Sequence, residues 1–485
     1  MTAPAAPAAK PPTALSAPAF YGVMAVLLLT EILGAFENNL ILSAMPTLVR
    51  RFKDVTSVGW LVTIYSLGAA ATAAIGGRLG DMFGRRRMLI VVVGICGLGS
   101  LVSALSSGLG GIIVGRALQG ASGAILPLCY GITRQLAPPG RTPIWIGLLT
   151  GGYTFSAAAA YIIGGMLSDS GDWQIIFYLT GATAFVSIPL LLFCVPALPG
   201  QGASGRIDVL GAVLFAPAVA LMLYALTQAS KVGWAHGDIL GVFGAGAALL
   251  AFWAWYELRV AEPLFDLRLL KRPKIALGNI CGCLASFGVM QLPLVVLMFM
   301  QQPKMEGAGL GVSATLAGFL KLPSNIAAPV AAVIGGWICA RYSSRWSVLV
   351  GGLVGALGWG LLIPLHDTIP QVVVVSMVCA FGSSVLLSAL PNTVLEDAPM
   401  DRSSEATGML AVTRGMATAV GVQVITILLA GSHIVDPKTG GKMPSEGAYN
   451  LTFAVIAATS LACGLLAMAA KGRAKAPAPA IAAAE

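Results

Sequence analysis

Gly76-Gly77-Arg78-Leu79-Gly80-Asp81-Met82-Phe83-Gly84-Arg85-Arg86-Arg87 decides how this chain is read. Its four glycines allow a very tight turn. Four arginines and one carboxylate crowd the turn, between apolar runs at 57–79 and 88–108. Asp81 is a candidate to pair with those arginines or to cap the N-terminus of a neighbouring helix. Anchoring at a membrane surface explains arginines in such a turn, but it does not require the spaced glycines and the acid.

The flanking runs are long enough to cross a bilayer, which takes about 20 mostly apolar residues. The same rule reads fourteen segments along the 485 residues: 20–46, 57–79, 88–108, 110–136, 143–168, 174–196, 207–229, 237–259, 275–302, 311–340, 345–365, 370–394, 403–432 and 447–471. Composition agrees, since 57% of the residues are hydrophobic and only 10% charged. A water-soluble domain carries about 25% charged residues. With this little charge the chain cannot cover a surface facing water, so lipid is its main solvent. The fold class expected is all-α integral membrane.

The net charge of +9 then has a topological meaning. Cytoplasmic loops collect Lys and Arg. Alternating the spans from a cytoplasmic N-terminus places Lys10, Arg78, Arg85, Arg86, Arg87, Arg134, Arg141, Arg206, Arg259, Arg268, Lys271, Arg272, Lys274, Arg341, Arg345, Arg402, Lys471, Arg473 and Lys475 inside. Only Arg50, Arg51, Lys53, Lys231, Lys304, Lys438 and Lys442 fall outside. Both termini are therefore expected in the cytoplasm. No basic stripe is interleaved with aromatics, so nucleic acid is not an expected partner. Membrane lipids are. The loop 260–274 is basic and partly amphipathic, and is read as a short helix along the inner interface.

The remaining composition is less informative. The eight cysteines lie in apolar stretches, with no histidine near the closest pair, Cys281 and Cys283, so no metal site is expected. The Ala/Pro-rich residues 1–19 and the tail 472–485 read as disordered. No P-loop, G-x-S-x-G or H-E-x-x-H is present. The chain is thus read as neither an enzyme nor an ATP-driven pump, with no cofactor.

A second turn, Gly335-Gly336-Trp337-Ile338-Cys339-Ala340-Arg341-Tyr342-Ser343-Ser344-Arg345-Trp346, echoes the first. The echo suggests an internal repeat. It divides the chain into an N-terminal six-helix bundle (20–196), an inserted helix pair with a basic loop (197–274) and a C-terminal six-helix bundle (275–471).

The turn at 76–87 resembles the signature between helices 2 and 3 of the major facilitator superfamily. Arg116-Ala117-Leu118-Gln119-Gly120 resembles that family's helix 4 motif. Fourteen helices, and Glu262-Pro263-Leu264-Phe265-Asp266-Leu267-Arg268 after the eighth, are similar to its fourteen-helix drug:proton antiporter branch. The resemblance implies two six-helix bundles around a central cavity, alternating access, a small-molecule substrate exchanged for protons, and a monomer in the cell inner (plasma) membrane. It implies a conformational latch at Gly77, Asp81, Gly84, Arg85 and Arg86. The chain departs from the pattern in places. Ala160-Tyr161 stands in place of the helix 5 Gly-Pro, Ala340 in place of the second half's acid, and Glu37 where the branch commonly has Asp. The helix 5 change favours uptake, or transport of a lipid or metabolite, as the rival to export. A non-transporting receptor or scaffold is the rival from another class.

Ionisable residues inside a bilayer are costly and are functional candidates by default. Glu31, Glu37, Arg116 and Arg414 are the candidates for proton coupling. Six positions separate Glu31 from Glu37, so their side chains leave the first helix about 120° apart. Either acid is a candidate proton carrier; Arg414 is a candidate to partner Glu31 or Glu37 or to bind an anionic substrate, and no pairing is assigned. Tyr65, Tyr153, Tyr161, Gln291, Lys321, Asn325 and Asn392 are the candidates to line a substrate cavity.

Overall fold

The computed structural model describes residues 16–52, 55–169, 173–197, 208–232, 236–260, 263, 267–305, 307–435 and 442–469. The tails expected to be disordered lie outside the described residues, except that the first helix starts at Ala17, inside the expected 1–19 tail. Glu262 and Asp266 also lie outside them.

The chain is almost wholly helical. Its elements are α1 (Ala17–Phe52), α2 (Val55–Phe83), α3 (Arg85–Leu105), α4 (Leu109–Gln119), α5 (Ile125–Leu136), α6 (Thr142–Asp169), α7 (Gln174–Cys194), α8 (Val209–Val232), α9 (Gly237–Glu257), α10 (Pro273–Phe287), α11 (Leu292–Gln301), α12 (Ala314–Leu320), α13 (Leu322–Arg341), α14 (Ser344–Leu361), α15 (Ile369–Leu395), α16 (Ser403–Ala430) and α17 (Glu446–Ala469). A hairpin of β1 (His433–Val435) and β2 (Lys442–Pro444) lies between α16 and α17. Among the described residues ten helices are long and apolar enough to cross a membrane, or eleven if the bent α2 counts as one span. In place of a longer interfacial helix, the described part of the 260–274 loop forms one 3-10 turn, Leu267–Lys271.

Three expected spans are broken. A 3-10 turn at Gly120–Ala124 separates α4 from α5. Another at Val289–Gln291 separates α10 from α11, and Lys321 separates α12 from α13. The residues explain the breaks. Gly120 and Gly123 lie against the backbone of Gly68 and Ala69 in α2, an approach that side chains would block. Pro293 and Pro323 sit in the first turns of α11 and α13, where a proline lacks no needed hydrogen bond. The breaks also free backbone groups at membrane depth, which is tolerated where the chain is buried in protein or lines a cavity.

Two groups of helices emerge from the packing. Helices α1 to α7 pack on one another, as do α10 to α17, and α8 with α9 forms a pair whose α8 leans on α2 and α16. The groups meet along two seams, α2 against α16 and α6 against α13. Gly336 lies against Pro143 and Ile144, Gly147 against Ala332, and Gly151 against Pro329. The α6–α13 seam therefore runs from the basic turns to mid-helix.

Candidate functional site

Arg116 organises a polar core inside the first group. It sits on α4 one turn before the 3-10 break and is 1% exposed. Its Nε donates to Leu61 O (3.0 Å), and its Nη1 donates to Glu37 O (2.7 Å) and to Gln119 Oε1 (3.0 Å). The guanidinium lies 4.2 Å above the centre of the Tyr65 ring. Gln119 Nε2 donates to Ser100 Oγ (2.8 Å), and Ser100 Oγ reaches Glu37 Oε1 at 3.5 Å. Glu37 Oε2 and Arg116 Nη2 make no hydrogen bond. The arginine therefore grips the backbone of Glu37 and leaves its carboxylate with capacity to spare. A lysine has no fork of donors to serve these three acceptors. Arg116→Lys is expected to lower stability by about 2 kcal/mol, read as an earlier thermal midpoint in detergent.

Two expected cavity residues belong elsewhere. Tyr65 is a floor for Arg116, with its hydroxyl 2.9 Å from Ser122 Oγ, and it is buried. Gln291 spends its amide on Ser286 O and Thr418 O, both at 3.0 Å, bracing the break before α11. Asn392 donates to Ser388 O (2.7 Å) and to Pro143 O across the seam (3.4 Å). It closes the contact between the groups. The side chain of Tyr161 lies outside the described residues.

A second cluster spans the groups. Glu31, 2% exposed, faces α5 and lies within electrostatic reach of Cys129 and Tyr130. Tyr130 is hydrogen-bonded to Thr150 (2.8 Å) and also lies within reach of Arg414. Arg414 approaches Tyr130 and Tyr153 from the other group, and its Nε reaches Ser286 Oγ at 3.4 Å. It forms no ion pair with Glu31 or Glu37 among the described residues. Lys321 and Asn325 are half-buried. Asn325 lies one turn before Pro329 on α13, and Lys321 is the residue at the break that precedes that helix.

The basic turn seals one end of the molecule. Asp81 accepts from Arg85 Nε (2.7 Å), from the backbone N–H of Glu405 (2.9 Å) and from that of Ser404 (3.4 Å). Its carboxylate thus caps the start of α16, where the helix dipole favours negative charge. Arg78 pairs with Glu405 at 3.3 Å. Arg85 also donates to Gly131 O (3.0 Å) and Met400 O (2.7 Å). Arg134 donates to Ala398 O (2.9 Å) and Ser403 Oγ (2.6 Å). A side chain at Gly77 would strike the carbonyl of Ser404. Gly84, with φ 99°, only makes the turn. Arg86 departs from the expected latch, because it donates to Leu191 O (3.1 Å) and Leu192 O at the end of α7, within its own group.

The sequence had not singled out Ser404, Glu405, Tyr130 or Arg134 for these roles. Gln119 lay in the quoted R-x-x-Q-G motif, and that motif was the one signal for it.

Residues 27–422 match the model of the Major Facilitator Superfamily. The chain is 25% identical over 407 residues to the Multidrug resistance protein Stp of Mycobacterium tuberculosis, covering 83% of this chain and 74% of that protein. It is 25% identical over 420 residues to the Tetracenomycin C resistance and export protein of Streptomyces glaucescens, covering 85% and 77%. The solved human organic anion transporter MFSD10 has the same fold, with a TM-score of 0.65, 14% identity, and 93% of this chain and 100% of that one covered.

Proposed function

The chain belongs to the major facilitator superfamily, and we propose that this multi-pass membrane transporter exports lipophilic or amphipathic organic molecules in exchange for protons. In this reading α1 to α7 and α10 to α17 are two six-span bundles, and α8 with α9 is an inserted pair, making fourteen spans. The basic end faces the cytoplasm, as Lys- and Arg-rich loops do, in the cell inner membrane. The protein then works as a monomer that alternates access by rocking the bundles.

The observation that carries the proposal is the placing of two separate devices. A buried acid–arginine core lies wholly inside one bundle at Glu37 and Arg116. A charged latch lies across both bundles at Asp81 and α16. A proton arriving at the core changes charge next to Arg116, while the latch holds the cytoplasmic end shut until the bundles rock. Exporters among the relatives support the outward direction. The missing Gly-Pro in α6 supports uptake as the second reading.

The test is a proteoliposome assay with an imposed pH gradient and ethidium as probe, using right-side-out orientation. Proton entry is expected to drive ethidium out against its gradient, and collapse of the pH gradient is expected to stop it. Gradient-driven entry of tested compounds, with outward pumping of none, would establish the uptake reading instead.

A further inference from the structure

We infer that the space between the two bundles binds the anionic group of an amphiphile, a carboxylate, sulfonate or phosphate, on Arg414 with Lys321 as a second cation. The inference rests on the transporter reading and adds a substrate class to it.

Charge at membrane depth is distributed unevenly. Both acids, Glu31 and Glu37, stand on α1, in the bundle that also holds Arg116. The other bundle presents Lys321 and Arg414, and among the described residues no carboxylate lies within ion-pair distance of either. The other cations of the interior are better partnered, although Arg116 Nη2 and Arg78 Nε make no hydrogen bond. Arg116 has three oxygen acceptors and an aromatic face. Arg78 and Arg85 have carboxylates. Arg414 has five donors to place, yet its one side-chain hydrogen bond among the described residues is a long one to a hydroxyl.

Its position is equally telling. Arg414 leaves α16 toward α10, where Ser286 meets it, and toward Tyr130 of α5 and Tyr153 of α6 in the opposite bundle. It stays half-buried. Its neighbours Ser286, Tyr130 and Tyr153 come from both bundles. An isolated cation in a low-dielectric interior is costly unless paired. A planar fork of donors matches a carboxylate, sulfonate or phosphate in two-point fashion. Tyrosines on the facing wall offer apolar faces with a polar tip, which suits the body of an amphiphile beside its charged head. Lys321, half-buried at the break before α13, is the other cation of that bundle with no carboxylate in ion-pair distance among the described residues.

The experiment compares two probes with one ring system, 1-pyrenebutyrate and 1-pyrenebutanol, by equilibrium dialysis against the full chain in nanodiscs. Empty nanodiscs supply the lipid background. The wild-type protein is expected to bind the carboxylate at least about tenfold more tightly than the alcohol. Arg414→Gln and Lys321→Gln are each expected to cut that preference by about tenfold. A wild-type-like gel-filtration profile and thermal midpoint show that each variant is folded. Arg414→Lys should keep part of the preference. Equal wild-type affinities, or a preference that survives both substitutions, would overturn the inference. If pyrenebutanol is pumped out with no carboxylate preference, the inference fails and the export reading stands. If the carboxylate preference is present but neither probe is moved by a pH gradient, the site stands and export fails.

Discussion

Replacing Asp81 with Asn is expected to unlatch the basic end and to shift the molecule toward the state open on that side. The carboxylate serves three partners at once, Arg85 and the amides of Ser404 and Glu405. Asn keeps the shape but removes the charge that both the arginine and the start of α16 attract. Breaking a buried pair from one side costs about 3–5 kcal/mol, which corresponds to a factor of about 100 or more in a two-state equilibrium. The fold survives this loss, because most of each apolar core lies within its own group of helices. The readout is hydrogen exchange at the amides of Ser404 and Glu405, expected to quicken about 100-fold in the variant. Gly77→Ala acts in the same direction for a different reason, since its new methyl meets the Ser404 carbonyl. Wild-type protection of both amides in both variants would show that this contact does not hold the end shut.

The latch also shows what a sequence makes legible. Asp81 stands out locally, as one acid in a glycine- and arginine-rich turn, and capping was one of the two roles it suggested. Its partner lies 324 residues further along, and nothing near Glu405 advertises the contact. The spans were legible because lipid demands long apolar runs. Their breaks were not, since Gly120–Ala124 and Val289–Gln291 are nearly as apolar as their surroundings and read as continuous helix. Face was the other blind spot. A lone polar residue in an all-apolar helix has no amphipathic stripe to orient it, so Tyr65 and Gln291 looked like cavity residues. In the structure one supports Arg116 and the other ties down a helix break. The separation of Glu31 from Glu37 was readable, because it needed only helical geometry. One acid faces α5 and Tyr130, and the other faces α3 and α4.

That separation leads to the other large effect expected, from Glu37→Gln. Antiport requires a group that takes a proton from one side and gives it up in the state that loads substrate. Glu37 meets the structural requirements of the proposal. It is buried, its Oε2 has no hydrogen-bond partner, and Nη2 of Arg116, which holds the Glu37 carbonyl, also has none. When the carboxylate forms, these two vacancies attract each other. Closing them pulls α1 and α4 together, since Arg116 already holds the Glu37 carbonyl. In the proposal protonation releases them, which would link proton occupancy to helix packing. Glutamine is nearly isosteric and keeps the contact to Ser100, but it cannot lose a proton. Exchange of labelled substrate across the membrane, with no net proton movement, is expected to continue in the variant. Uphill transport driven by a pH gradient is expected to fall about 100-fold, the upper range of a typical coupling free energy. Proton release on adding substrate to the detergent-solubilised protein should vanish with it. Glu31→Gln separates the two acids, because Glu31 lies on the α5 side of α1, near Tyr130. Its loss is expected to alter substrate affinity while proton release persists. Uphill transport at the wild-type rate in Glu37→Gln would remove Glu37 from the coupling mechanism and leave Glu31 as the acid of α1 that carries the proton.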